Sequence, residues 1–516
     1  MSEDDCLIVR AVCVGEEFEK MQGNISIQTT PIVSIDKLSK EDEVKKASWF
    51  DSKAPTVFHY IALVILGALT WGYLWCALGE DWSLNGQWFR LTIIGVIAWA
   101  SGLILQELTT LPPLLAALLT GIIARHFGFV DMRAYPYIDG FLRKIYPVII
   151  LGKGSLSWDV KFIKQNWKQV LALGALPWSA EVLAVAVCTH FLLGFPWIWG
   201  FLLGSFYASV SCPVIMPSVI KHGKSASGKV NWSQLICTAG GLDTTLSVGT
   251  FGVLFSFIFY EFDDSYHYVK AILALPLGLV LGIAWGSLAK YIPNPNDVFV
   301  TELRVLFVLA GGLFVNMFTT SIGWGGTGGV AVLACNATAA SHWSKTGWKL
   351  NQNPAATVYR VLWSTCEPVL FAFTGTFFVV HSSISETMLI GLGILLVCLT
   401  VRLITAVLVC WKLTLKQKIF VCCTWIPKSI VEAVLCPMAI ITIIAQCQHI
   451  EELAIAEDLM RLIVQAIIIT TPIGFLLTNN LGSMLLNENN CEDIESKPRF
   501  TSRKSSAFHH DEDSNL

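Results

Sequence analysis

The sequence predicts an all-α polytopic membrane protein with about fourteen transmembrane helices, and three observations carry that expectation. Of 516 residues, 54% are hydrophobic and 14% charged, against roughly 25% charged in a soluble globular domain. The charges are also unevenly placed, since 29 of the 73 lie in residues 1–55 and 486–516. Between those ends, apolar runs of the length a hydrocarbon core requires recur without period-two alternation, so helices are expected and a barrel is not. Residues 1–55 read as an N-terminal cytoplasmic tail, 56–485 as one transmembrane domain, and 486–516 as a C-terminal cytoplasmic tail.

The runs and their connections can be taken in order. Spans at 57–78 and 88–107 flank GEDWSLNGQW, which contains no Lys or Arg. Shorter runs follow at 112–125 and 145–157, joined by a connection holding Arg133, Arg143 and Lys144. Lys161, Lys164 and Lys168 precede a span at 169–190, and Lys221, Lys224 and Lys229 follow one at 197–220. The spans at 233–260 and 268–290 flank EFDDSYHY, again free of Lys and Arg. Runs at 304–320 and 324–341 lead to Lys345 and Lys349, and runs at 356–380 and 385–411 flank HSSISETM. Lys412, Lys416 and Lys418 then precede the last two, at 418–446 and 461–485. Short cytoplasmic loops carry the excess of Lys and Arg, so this alternation places both termini in the cytoplasm. The connection with Arg133, Arg143 and Lys144 falls on the outer side and fits the rule poorly.

Ionisable residues inside spans are costly and mark function. They are Glu181, Asp243, Glu367, Arg402, Lys428 and Glu432, with Lys153 near the end of a short span. Two spans also carry internal breaks, SVSCPVIMPS around Pro213 and Pro217 and TWIPKSIVEAVLCP around Pro427 and Pro437. Paired interrupted helices about seven spans apart point to inverted repeats, with two broken crossing helices around a midplane ion site. GWGGTGGVAVLACNATAA lacks the Gly-Lys-Ser/Thr ending of a phosphate loop and reads as helix contact through small residues. Fifteen cysteines, an odd number without Cys-x-x-Cys, read as apolar packing. No His/Cys/carboxylate cluster has metal-ligand spacing, so neither metal nor cofactor is expected. A net charge of −3 lacks the basic footprint of nucleic-acid binding.

The collinear order LPPLLAALLTGIIAR, SVSCPVIMPS, AGGLDTTL, VRLIT and WIPKSIVEA resembles the animal sodium/proton antiporters of the 9B branch (NHA type), within the monovalent cation:proton antiporter superfamily. The likeness runs over roughly residues 88–485. It implies a secondary active transporter exchanging sodium or lithium for protons, a homodimer built on a panel-like domain, and a core that moves like an elevator. It also implies that Asp243 is the first carboxylate of an Asp-Asp pair, faced by Arg402. Lys428 falls in the second crossing helix, Glu181 among the core acids, and Lys153 near the cytoplasmic end. Two positions depart from the pattern. Thr244 stands where the second carboxylate is expected, and Cys212 where the first proline is expected, with Pro213 displaced by one. A Thr hydroxyl does not titrate in the accessible range, so the ion site is expected to be altered.

Two other functions fit the same residues. One is a proton-coupled anion transporter for chloride, because a lost acid leaves Arg402, Lys428 and Lys153 less neutralised and broken-helix N-termini favour anions. The other is a transport-inactive regulatory homologue. An enzyme is not expected, and an ATP-driven pump is excluded by the absence of a Walker motif.

Overall fold

The computed structural model describes residues 49–223, 231–260, 264–294, 297–348, 353–379, 386–447 and 449–486. Among these the chain is helical and contains no strand. The chain divides into two units, Met1–Ala77 and Leu78–Leu516. The described part of the first lies in helix α1 (Trp49–Leu78), which begins inside the stretch assigned to the N-terminal tail. The remaining tail residues, 1–48 and 487–516, lie outside the described residues.

The second unit holds α2 (Gln87–Thr109), α3 (Leu114–His126), α4 (Pro136–Ser155) and α5 (Val160–Leu193). Next come α6 (Trp197–Tyr207), α7 (Cys212–Gly223), α8 (Trp232–Phe259), α9 (Asp264–Leu288), α10 (Val300–Ser321) and α11 (Thr327–Trp343). The chain continues through α12 (Pro354–Thr376), α13 (Glu386–Val409), α14 (Leu415–Thr424), α15 (Ile430–Gln446) and α16 (Leu453–Leu486). Nine spans among the described residues are long and apolar enough to cross a membrane. The fourteen runs of the sequence reading include shorter helices outside that set, such as Leu114–His126 and Ile430–Gln446.

Helix starts are capped where the sequence supplies short polar side chains. Asp159 accepts the Lys161 N–H at 2.8 Å and opens α5, and Asn231 accepts the Gln234 N–H at 3.2 Å to open α8. Thr414 and Gln417 form a reciprocal capping box at α14. Such caps let helices run past the apolar stretch. The Asp159 cap opens a short helical stretch carrying Lys161 and Lys164, which a kink at non-helical Asn166 joins to the long helix bearing Lys168 and Glu181; the two together make up α5.

One sequence expectation needs correcting at α4. The predicted run began at 145, but the helix starts at Pro136 and includes Arg143 and Lys144, which are therefore not loop cations. Asp139 and Arg143 depress the local hydropathy, yet both are buried and joined by an i,i+4 ion pair of 2.7 Å. Of the three cations read into that connection, Arg133 alone lies outside α4.

The Gly-rich stretch has the packing role expected of it. Gly278, Gly282 and Gly286 on α9 lie against the carbonyls of Thr327, Ala331 and Cys335 on α11, where an added Cβ would overlap backbone atoms. Small residues spaced by four thus bring the two helices to close contact. Around the interrupted spans, helix, broken helix and helix follow one another twice, as α5, α6/α7, α8 and as α13, α14/α15, α16. These two sets pack together, with α5 on α13 and α7 on α16.

Candidate ion-coupling site at the crossing of two broken helices

Both breaks fall on short non-helical stretches rather than on every proline named from sequence. The first covers residues 209–211, immediately before α7, so Pro213 occupies the first turn of that helix and Pro217 lies within it. Pro217 costs α7 one backbone bond without ending it. The second covers residues 426–429 and includes Pro427, whereas Pro437 lies inside α15. The two non-helical stretches cross. Ser211 donates its N–H to the Pro427 carbonyl at 2.9 Å, and the Ser211 and Ser429 hydroxyls approach to 2.5 Å.

Each break exposes carbonyls at one half-helix end and N–H groups at the next, and the ionisable side chains meet them by sign. At the α6 end, Tyr207 O accepts from Lys428 Nζ at 2.5 Å and Ala208 O accepts from the Arg402 guanidinium. At the α14 end, Trp425 O accepts from Arg402 Nε at 3.1 Å. Conversely, the Val210 N–H, just before α7, donates to Asp243 Oδ1 at 2.9 Å. Two α16 threonines complete the second crossing, with Thr470 Oγ1 accepting the Lys428 N–H at 3.1 Å and Thr471 donating to Lys428 O at 2.6 Å. The sequence reading did not single out this threonine pair, whose signal was only two hydroxyls before Pro472 in an apolar run.

Four of the predicted residues converge here. Arg402 on α13 reaches Asp243 Oδ2 on α8 and Glu181 Oε2 on α5, each at 2.7 Å. Lys428 Nζ reaches Glu181 Oε1, also at 2.7 Å, and lies 4.9 Å from the centre of the Tyr207 ring. All four side chains are at most 1% exposed. Two cations and two carboxylates balance, as burial demands of charges that cannot reach water. Thr244 is half-buried beside Asp243 and takes no part in these ion pairs. Lys153 lies apart, near the end of α4, where Glu367 on α12 is its opposite charge.

A second buried network supports α15 from outside the crossing. Pro437 has no N–H for the carbonyl four residues earlier, Ala433. That carbonyl instead accepts from Arg143 Nη1 at 2.6 Å and from Thr374 Oγ1 at 2.9 Å, so α4 and α12 both hold the half-helix that follows Lys428. Thr374→Val is expected to cost about 1–3 kcal/mol. Pro437→Ala restores an N–H to that carbonyl and should at least halve the loss. Thermal unfolding of the two single variants and the double, in detergent, checks this; equal Thr374→Val losses in both backgrounds would contradict it.

Comparison with known proteins accords with this architecture. The family described as "Sodium/hydrogen exchanger, transmembrane" matches residues 92–479. Human sodium/hydrogen exchanger 9B1 is 29% identical over 475 residues, which cover 90% of this chain and 91% of that protein. Mouse sodium/hydrogen exchanger 9B2 is 27% identical over 432 residues, 81% of this chain and 78% of that protein. The solved structure of the sodium proton antiporter MjNhaP1 from Methanocaldococcus jannaschii at pH 8 superposes with a TM-score of 0.63 at 17% identity, covering 77% of this chain and 97% of that one. That likeness establishes a shared antiporter fold. With the family match extending over both broken helices and all four charged residues of the crossing, the chain belongs to the transmembrane sodium/hydrogen exchanger family.

Proposed function

We propose that the chain is a monovalent cation/proton antiporter of the elevator type, with sodium or lithium as the cation and coupling altered at Thr244. The observation that carries this reading is that Arg402 bridges Asp243 and Glu181 at 2.7 Å each. When Asp243 leaves Arg402 to take a proton or a cation, Arg402 keeps Glu181 and two backbone carbonyls and is never left an unpaired buried charge. Asp243 is then the group for which cation and proton compete. The repeated set of helix, broken helix and helix supports a core that moves as one body, and the reading extends to a homodimer with both tails in the cytoplasm.

The charge balance favours a cation over chloride. Arg402 and Lys428 are matched by Asp243 and Glu181, and their donors are committed to carboxylates and carbonyls. Little positive field remains for an anion.

Flux of sodium, lithium, potassium and chloride in proteoliposomes tests the reading. Sodium- or lithium-driven proton movement is expected for the natural sequence. Thr244→Asp should tighten the cation dependence by adding a second carboxylate to α8, whose repulsion with Asp243 favours uptake of a positive ion. An anion carrier would respond in the opposite sense. Chloride-driven proton movement without cation dependence would overturn the reading, and absence of any flux would favour the regulatory homologue.

A further inference from the structure

The charges at the crossing are committed, with one exception. Asp243 divides its oxygens between Val210 N–H and Arg402, and Glu181 divides its own between Arg402 and Lys428. Glu432, in the first turn of α15, is 0% exposed; the Ser429 and Glu432 N–H groups of its own segment lie beside its carboxylate, and neither Oε1 nor Oε2 has a side-chain hydrogen-bond partner. Among the described residues it is the one buried carboxylate with both oxygens in that condition. It follows Lys428 by four positions, but Lys428 Nζ is held by Glu181 and the Tyr207 carbonyl.

The groups around Glu432 can be named element by element. Lys428 and the N–H groups of Ser429 and Glu432 come from its own segment, with Cys436 one turn on. Asp243 faces it from α8 and Tyr207 from α6. On α4, Arg143 is engaged by Asp139 and by the carbonyls of Ala433 and Val434. Helix α16 offers uncharged Thr470 and Thr471, both bonded to the Lys428 backbone. None of these completes the carboxylate.

A carboxylate kept there for structure would be matched by a cation, as Asp243 and Glu181 are, since a buried charge without one weakens the fold. We propose that Glu432 is a second coupling carboxylate of this site, exchanging its proton for the transported cation. The proposal rests on the antiporter reading. As the cation binds, the O–H bond of Glu432 breaks, the proton leaves to the aqueous side, and the cation takes its place against the carboxylate, so the charge of the site is unchanged. Helix α8 supplies one carboxylate at the crossing, Asp243, and Glu432 supplies another from the opposite broken helix.

The test uses the purified full-length protein, with lithium or sodium chloride added to detergent-solubilised samples in weak buffer and proton release recorded, alongside exchange in proteoliposomes. The natural sequence is expected to release protons. Glu432→Gln should reduce that release to about half, as expected when one of two titrating groups is lost, and slow exchange, without lowering the unfolding temperature. Glu432→Asp should keep proton release and shift its pH profile, and it provides the readout if the Gln variant does not fold. Glu432→Gln equal to the natural sequence in release and exchange, or Glu432→Asp with an unshifted profile, overturns the proposal alone. A natural protein that neither releases protons nor exchanges overturns the antiporter reading and this proposal together.

Discussion

Arg402→Met is expected to lower the stability of the solubilised protein by about 3–5 kcal/mol, the usual cost of removing one partner from a buried ion pair. The side chain bonds Asp243, Glu181, Ala208 O and Trp425 O, and so links α13 to α8, α5 and the C-terminal ends of both first half-helices. Methionine fills much of the volume but satisfies none of these groups. Lys428 can still neutralise Glu181, whereas Asp243 keeps only the Val210 N–H. Asp243→Asn added to Arg402→Met should therefore recover part of the loss, because it removes the carboxylate left without its cation. Thermal or denaturant unfolding of the two single variants and the double gives the coupling energy, and strictly additive losses would show that the pair is not energetically linked.

Asp243→Asn by itself should reverse that weighting, with a small effect on stability and a large one on transport. Arg402 retains Glu181 and both carbonyls, and an Asn carbonyl can still accept the Val210 N–H, so a loss of roughly 1–3 kcal/mol is expected. An amide neither binds a proton in the accessible range nor offers a full negative charge to a cation. Cation-driven proton exchange in proteoliposomes should fall to the leak of protein-free vesicles. Asp243→Asn that still exchanges at the natural rate would remove Asp243 from the coupling step.

Much of the architecture was legible in the sequence because membrane insertion is written in local composition. Apolar run length and mid-span prolines act over fewer than about 30 residues, which is the range over which lipid selects a helix. Legibility failed where a long-range partner changed the meaning of a local signal. The connection with Arg143 and Lys144 read as an outer loop, yet both residues are helical, because the Asp139–Arg143 pair and the carbonyls of α15 make a buried cation tolerable there. Pro217 read as a break, yet α7 runs through it, and the non-helical stretch lies at 209–211.

By itself, then, the sequence determined an all-helical membrane body, the likeness to sodium/proton antiporters, and the short set of charges that lipid would not tolerate unpaired. Tertiary structure alone decided how those charges are shared. Glu181, Asp243, Arg402 and Lys428 are separated by as many as 247 positions, and no periodicity relates them. Their pairing follows from two broken helices crossing, which brings half-helix carbonyls to the cations and a backbone N–H to Asp243. The same crossing leaves Glu432 without a side-chain partner, a fact that no local pattern could contain, because the surroundings of a buried group are set by everything that packs around it.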